Sequence, residues 1–304
     1  MKGLELSRSY YFEVVQPALR NALPELTGQY SAGLAGEGSD CLGLDDERSR
    51  DHDWGPGVCL WVEETMPQEQ KTALAQVLAS LPERYGGFPV RGQTRRTGVM
   101  TAAEFYLPLL GRRDAPETAE QWLQIPEPSL TSAVSGEVFE DCGGSFTDIR
   151  SRLQNYYPRD AWLYRMADAA ALAAQTGQYN FARCLQRNDT VACGVIRSRF
   201  TESMTALIFL LNRRYRPFYK WAYTVLRELP VLGAESHAAL SRLAAAEGAQ
   251  AVREIESLSA AVIEQLHQEK LSGSGSDFLM DHVPELLKNI GDVRLRTKPV
   301  SLVF

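Results

Sequence analysis

The sequence predicts an α+β protein, in which an N-terminal α/β region is followed by a C-terminal helical-bundle domain. Three observations indicate this. Apolar residues recur at helical spacing over residues 8–22, a short apolar run at residues 30–35 leads into a glycine-rich turn, and long helical periodicities occupy residues 191–214 and 249–268. The pattern changes after residue 135, so we expect a first domain over residues 1–135 and a second over residues 136–304.

The first domain is predicted from an alternation of helical and strand-like segments. The helix over residues 8–22 should end near Pro24, and the strand over residues 30–35 should feed the turn Gly36-Glu37-Gly38-Ser39. A strand that ends at Val62, a helix over residues 67–82 and a short strand over residues 99–101 complete this domain.

The second domain is predicted to be helical because its apolar residues repeat every three or four positions. The first long helix contains Ile196, Phe200, Met204, Leu207, Ile208 and Leu211; the second contains Val252, Ile255, Leu258, Val262 and Leu266. The segment Ser272-Gly273-Ser274-Gly275-Ser276 has the composition of a flexible connector.

The composition is that of a soluble globular protein. The 304 residues are 44% hydrophobic and 23% charged, with a formal net charge of −6. This charge argues against broad, non-specific nucleic-acid binding but leaves room for a local basic groove. Five cysteines without CxxC spacing indicate neither a disulfide framework nor a zinc site. With no signal peptide and no apolar run near 20 residues, we expect a cytoplasmic protein that does not enter a membrane.

The strongest candidate site combines Gly38-Ser39 with Asp51-His52-Asp53. If residues 51–63 form a strand, Asp51 and Asp53 point to the same side. Two adjacent carboxylates repel each other unless a cation lies between them, and Mg²⁺ is commonly held by one or two carboxylates together with substrate phosphates. The alternative is a solvated acidic loop beside an ordinary turn, with His52 oriented inward.

The same segments carry a resemblance to a known family. Gly38-Ser39 followed by Asp51-His52-Asp53 resembles the signature of the polymerase-β-like nucleotidyltransferase superfamily, and residues 43–56 resemble its domain-of-unknown-function 4037 branch. Residues 136–141, 157–162 and 214–221 also resemble that branch, so the likeness spans most of residues 8–230.

This resemblance implies a short mixed sheet flanked by helices, with Mg²⁺ (or Mn²⁺) on Asp51 and Asp53 and the triphosphate of ATP or another NTP on Gly38-Ser39. Superfamily members often place a third carboxylate on a later strand, but residues 97–101 contain no acid. Glu104 and Glu137 are the alternatives. By analogy with members that draw a base from the helical domain, we favour Glu137.

Other polar residues have competing interpretations. Glu137 and Asp141 could instead brace a helix that begins near Phe146, and Asp160 could cap a helix. Lys220 lies in a cationic, aromatic segment over residues 213–221 and could reach a triphosphate as a point charge. A helix end with solvated cations explains that segment equally well.

The sequence therefore predicts a nucleotidyltransferase that moves an NMP from an NTP to a hydroxyl group. Its net negative charge favours a small-molecule acceptor over a nucleic-acid end such as tRNA. Two alternatives stay open: a catalytically silent nucleotide-binding or sensor module, and a toxin-like nucleotidyltransferase that acts on tRNA or a partner protein.

Overall fold

The computed structural model describes residues 1–51 and 53–301 of the chain. Its strands are β1 (Tyr30–Ala35), β2 (Cys59–Val62), β3 (Arg84–Tyr85), β4 (Phe88–Pro89), β5 (Gly98–Thr101) and β6 (Gly136–Glu140). Its α-helices are α1 (Gly3–Tyr10), α2 (Gln16–Ala22), α3 (Gln68–Ala79), α4 (Ala102–Leu110), α5 (Ala119–Gln124), α6 (Glu127–Val134), α7 (Ser145–Gln154), α8 (Arg159–Ala173), α9 (Ala182–Gln186), α10 (Thr190–Leu211), α11 (Tyr219–Leu226), α12 (Gly233–Ala245), α13 (Gly248–Gln268), α14 (Val283–Lys288) and α15 (Val293–Arg296).

Two compact units divide the chain. The first contains residues 1–116 and 125–155, and the second contains residues 117–124 and 156–304. The boundary that we predicted after residue 135 differs from this division, because β6 pairs with β1 and therefore belongs to the first unit. The α+β prediction is confirmed, since the protein is 59% helical and has a small mixed sheet.

The first unit is built on a four-stranded sheet in the order β5-β2-β1-β6. β1 is antiparallel to both β2 and β6, whereas β2 and β5 run parallel. The predicted strand over residues 30–35 is thus a central strand, buried along its whole length. The turn that follows β1 therefore lies at the end of a central strand.

Apolar side chains cover both faces of this sheet. On one side, residues of α1, α2 and α3 enclose Tyr30, Leu60 and Val62 in a continuous core. In a separate aromatic cluster, Trp61 stacks on Phe146 with ring centroids 3.7 Å apart. The strands are therefore held on one face by helices that are adjacent in sequence and on the other by Phe146 of α7, 85 residues after Trp61.

The second unit is helical and is centred on α8 and α10. Trp162 of α8 is fully buried, and its indole N–H donates to the carbonyl of Leu210 on α10 at 2.8 Å. The predicted helices over residues 191–214 and 249–268 correspond to α10 and α13. Among the described residues, no helix combines the length and the apolar character needed to cross a membrane.

The Gly/Ser-rich segment Ser272–Ser276 is ordered by hydrogen bonds, unlike the flexible connector that its composition predicts. Fully buried His282 has Nδ1 2.8 Å from the Ser272 hydroxyl and Nε2 2.8 Å from the Ser276 carbonyl. A carbonyl only accepts, so Nε2 carries the proton and Nδ1 accepts from Ser272. One buried imidazole therefore fixes both ends of the segment.

Candidate functional site

The turn after β1 is glycine-dependent. Gly38 has a φ of +129°, and a Cβ there would lie 2.5 Å from Asp40 Oδ1 and 2.6 Å from Arg96 Nη1. Neither Gly38 nor Ser39 donates its backbone N–H to an acceptor in the part of the chain that the structure describes. Consecutive N–H groups in such a turn form a concavity suited to an anion. The turn thus has two backbone N–H groups without an acceptor among the described residues.

Two buried arginines lie behind this turn. Arg96 places Nη1 3.0 Å from Asp40 Oδ1, and Arg91 places Nη1 3.2 Å from Asp40 Oδ2. The side chains of all three residues are at most 6% exposed. Isolated charges at such depth are strongly unfavourable, so the carboxylate of Asp40 is the group that makes the two guanidinium groups tolerable there.

Arg96 also connects the turn to the acidic segment. Its Nη2 donates to the Asp53 carboxylate at 3.0 Å and to the Asp53 carbonyl at 3.2 Å, and Arg91 donates to the same carbonyl at 3.2 Å. Residues 38–40 and residue 53 are therefore brought together around one guanidinium group. We call Asp40, Asp53, Arg91 and Arg96 the arginine clamp.

The electrostatics of the arginine clamp are nearly balanced. Burial, together with the positive charge of Arg96, lowers the pKa of Arg91, while Asp40 and Asp53 oppose this shift. Burial also raises the pKa of the neighbouring Cys41 thiol to about 12, so Cys41 is uncharged at neutral pH. Two cations then face two carboxylates.

The paired aspartates do not lie on a strand, so the prediction that residues 51–63 form one was wrong. Asp51 ends a short 3₁₀ turn over residues 48–51, Asp53 has a φ of +47°, and Gly55 has a φ of +133°. These left-handed conformations are incompatible with extended pairing, and β2 begins only at Cys59. The same-face argument from strand periodicity therefore does not apply. His52 lies outside the described residues.

The acids of this segment differ in what they contact. Asp45 is buried, and its Oδ2 accepts from the Gly3 N–H at 2.7 Å and from the indole N–H of Trp54 at 2.9 Å. Asp46 accepts from the N–H of Ser49 at 3.0 Å. Asp51 is exposed, and the Asp53 side chain is 40% exposed. Of these four aspartates, only Asp45 is buried, while Asp46, Asp51 and Asp53 are exposed.

Asp51 and Asp53 have the type of side chain that binds a hard divalent cation. Both supply carboxylate oxygens, which Mg²⁺ prefers, and both are accessible. Within residues 1–51 and 53–301, no cluster of three or more His, Cys, Asp or Glu side chains is arranged to hold a metal. Any Mg²⁺ here would therefore depend on substrate oxygens and water for its remaining ligands.

The two candidates for a third carboxylate both have structural contacts. Glu104 forms a capping box with Thr101 at the start of α4, accepting the Thr101 N–H at 2.7 Å. Glu137 lies on β6 opposite Leu34 of β1, and its Oε1 is 2.8 Å from Arg8 Nη1. Glu137 therefore belongs to the sheet of the first unit, not to the helical domain as we predicted. β6 places it beside the strand that leads into the Gly38 turn.

Two other acids have structural roles. Asp141 accepts the N–H of Gly143 at 2.9 Å and the hydroxyl of Thr147, which braces the start of α7 as one of our alternatives predicted. Asp160 accepts the N–H groups of Gly291 and Asp292 at 3.1 and 2.8 Å, so it secures a distant loop instead of capping its own helix.

Lys220 belongs to the second unit, at the start of α11. Its side chain is exposed, and the ammonium group lies 5.0 Å from the centroid of the Trp221 ring. The structure does not bring Lys220 together with the arginine clamp within one unit.

Sequence reasoning missed the arginine clamp. Arg91 and Arg96 lie in the polar segment just before β5, where arginine usually indicates a solvated loop. The signal that could have revealed them is the concentration of cations in Arg91-Gly92-Gln93-Thr94-Arg95-Arg96, within a chain whose net charge is −6. Asp40, directly after Gly38-Ser39, was the matching anion.

Comparison with known proteins gives one match. No curated protein and no solved structure matches the chain. The family described as "Domain of unknown function (DUF4037)" matches over residues 122–222, about one third of the chain, which includes Glu137 and Lys220 but not the arginine clamp. Over these residues the chain therefore matches the domain-of-unknown-function family 4037, as its sequence predicts.

Proposed function

We propose that the protein is a Mg²⁺-dependent nucleotidyltransferase that transfers an NMP from ATP or another NTP to a hydroxyl group of a small-molecule or nucleic-acid acceptor. One observation carries the proposal. Arg96 holds the carboxylate of Asp53 next to a turn whose Gly38 and Ser39 N–H groups have no acceptor in the described part of the chain. These N–H groups and the Asp53 carboxylate, two residues after exposed Asp51, support a site for a nucleotide and its metal.

Each part of this arrangement has a chemical task. The N–H groups of Gly38 and Ser39 bind oxygens of the triphosphate. Asp51 and Asp53 would hold Mg²⁺, which neutralises negative charge on the phosphates. Arg96 orients Asp53 by donating to its Oδ2, while 40% of the Asp53 side chain stays accessible to solvent.

In the proposed reaction, the acceptor hydroxyl oxygen forms a bond to the α-phosphorus while the bond from that phosphorus to pyrophosphate breaks. The hydroxyl proton passes to a carboxylate, for which Glu137 is our candidate. Its side chain is 36% exposed, and its strand lies beside β1. Lys220 as a contact for the triphosphate stays a prediction from the sequence.

The experiment is incubation with α-³²P-labelled ATP, Mg²⁺ and a panel of hydroxyl-bearing acceptors, with label transferred to the acceptor as one readout and release of unlabelled pyrophosphate, measured by a coupled enzymatic assay, as the other. Asp51→Asn is the sharper variant, because Asp51 is exposed and outside the arginine clamp. We expect it to lower the rate by more than the roughly 10- to 100-fold typical of an outer-shell partner of a metal. Asp46→Asn, in the same loop, is the matched control and should retain activity. Equal rates for the two variants would exclude this metal site.

A second function is favoured by the contact between Arg96 and Asp53. A guanidinium group already balances one of the two carboxylates, which suits a module that binds nucleotide without turning it over. Mg²⁺-dependent ATP binding with no pyrophosphate release across the acceptor panel would support this sensor. Label that enters tRNA or protein in a lysate would instead indicate the toxin-like activity.

We also propose that the protein acts in the cytoplasm. All five cysteines, which lie within the described residues, are free thiols. A reducing compartment preserves free thiols.

A further inference from the structure

The second unit contains a cationic, aromatic surface of which only Lys220 has a predicted part in the proposed reaction. Residues 203–227 include five basic residues and no acidic one, in a chain whose net charge is −6. The basic residues are Arg213, Arg214, Arg216, Lys220 and Arg227. Such a local concentration of positive charge attracts polyanions even when the whole protein is acidic.

Helix α11 displays part of this segment on one face. Successive residues of an α-helix are rotated by about 100°, which puts Tyr219, Tyr223 and Arg227 along one stripe with Lys220 beside them. All four side chains are exposed, whereas Ala222 and Leu226 of the same helix are buried and attach it to the rest of the unit. Packing of α11 therefore leaves the cationic, aromatic face to solvent.

The aromatic rings on this face are unusually open. Phe218 is 50% exposed and Tyr219 is 71% exposed, and their ring centroids are 4.3 Å apart. Tyr223 stacks on His237 at 4.0 Å, and its hydroxyl donates to the His237 carbonyl at 2.7 Å, which fixes the ring. Large rings left in water forgo the stabilisation of burial. Flat, exposed rings are suited to stacking with planar groups of a ligand.

The cations beside these rings are available for phosphates. Arg214, Lys220 and Arg227 are exposed, and no carboxylate in the described part of the chain forms an ion pair with any of them. Arg213 differs, because its guanidinium group lies 3.9 Å from the centroid of the Trp162 ring. Among the described residues, these three cations therefore have no ion-pair partner for a phosphate to displace.

We propose that this surface, formed by Arg214, Phe218, Tyr219, Lys220, Tyr223 and Arg227, binds single-stranded nucleic acid. Exposed rings that stack with bases, bordered by cations that contact the backbone phosphates, are the two components of sequence-tolerant single-strand recognition. A duplex would use only the cations, because its bases are already stacked on each other. An acidic protein would likewise use only the cations. On this surface Lys220 would bind a phosphate of a nucleic-acid strand, and its predicted contact with a triphosphate is a separate proposal.

The test is fluorescence anisotropy of the full chain with a fluorescein-labelled 12-nucleotide oligouridylate, without NTP or Mg²⁺. These conditions separate the result from the proposed transfer reaction. We expect Tyr219→Ala to weaken binding by roughly 5- to 150-fold, the range for loss of one stacked base, while Tyr219→Phe retains it. Each of Lys220→Ala and Arg227→Ala should lower the slope of log affinity against log salt by about 0.7.

The controls come from the same unit. Tyr179 is 47% exposed, and Arg187 is an exposed cation elsewhere in the unit. Tyr179→Ala and Arg187→Ala should leave the affinity within about twofold of the parent protein, with unchanged circular dichroism for every variant.

Four outcomes would overturn the proposal. They are no binding of the oligouridylate, equal affinity for a duplex of the same length, binding that the Tyr219→Ala variant retains in full, and displacement by polyglutamate at matched charge concentration. The last would assign the surface to an acidic protein.

Discussion

Removing the negative charge of Asp40 should destabilise the first unit more than removing any other single charge. The perturbation is Asp40→Asn, which keeps the side-chain volume and removes the negative charge between Arg91 and Arg96. Removing one partner of a buried ion pair costs about 3–5 kcal/mol, because the remaining charge is buried without compensation. Arg96 retains the Asp53 carboxylate at 3.0 Å, so we expect a loss near the lower end, about 3 kcal/mol.

Hydrogen exchange followed by mass spectrometry measures this loss in the unit where it occurs. Two compact units make a single free energy of unfolding ill defined, whereas exchange reports each segment separately. Peptides covering β1 and the turn, residues 30–44, should exchange at least about 100-fold faster in the variant, since 1.36 kcal/mol corresponds to a factor of ten. Peptides from α13 in the second unit are the internal reference.

Glu37→Gln is the matched control. Glu37 is next to the same turn, and its ion pair with Arg95 has side chains that are 40% and 68% exposed. An exposed pair contributes about 1 kcal/mol or less, so exchange should change little. If Asp40→Asn and Glu37→Gln accelerate exchange equally, the buried arginines do not depend on the charge of Asp40, which would refute the argument from burial.

Two further predictions concern stability elsewhere in the chain. Burial tends to raise the pKa of Glu140, but hydrogen bonds such as that from Tyr11 hold it below its ordinary 4.5, so its stabilisation is present above pH 4.5 and disappears as the pH falls through the folded-state pKa. In hydrogen exchange of peptides from β6, corrected for the intrinsic exchange rate at each pH, Glu140→Gln should therefore be less protected than the parent at pH 7, with the difference closing below pH 4.5; a difference independent of pH would contradict this linkage. Ser272→Ala should cost about 1–3 kcal/mol by leaving Nδ1 of fully buried His282 without its donor, measured by exchange in residues 271–290. The control Gly273→Ala, where a Cβ meets open space, should be neutral or stabilising, and an equal loss there would refute the role of the imidazole.

Much of the fold could be predicted from local patterns. The two long helices of the second unit follow the apolar periodicity of the sequence, and the strand over residues 30–35 follows a short apolar run that ends in a glycine-rich turn. β6 could not be assigned to the first unit in this way, because its partner β1 is about 100 residues away. Pairing across that distance leaves no local signal in either strand.

The candidate site shows the same division. Gly38 is identifiable from sequence because only glycine tolerates its φ of +129° together with the close approach of Arg96. The prediction of a strand through Asp51 and Asp53 was wrong because φ is positive at Asp53 and at Gly55, where a Cβ would lie 2.7 Å from the Pro89 carbonyl. The approach of Pro89 to Gly55 results from tertiary packing, so the local sequence does not reveal it.

The sequence by itself determined the α+β class, the helical character of the second unit, and the residue types at the turn and the acidic pair. These depend on the periodicity of burial and on the conformational limits of single residues, which are local properties. Only the tertiary structure decided that Arg91 and Arg96 are buried around Asp40 and that Arg96 contacts Asp53. The physical reason is that a buried charge is stable only with its partner in place, and that partner lies about 40 to 55 residues away in the chain.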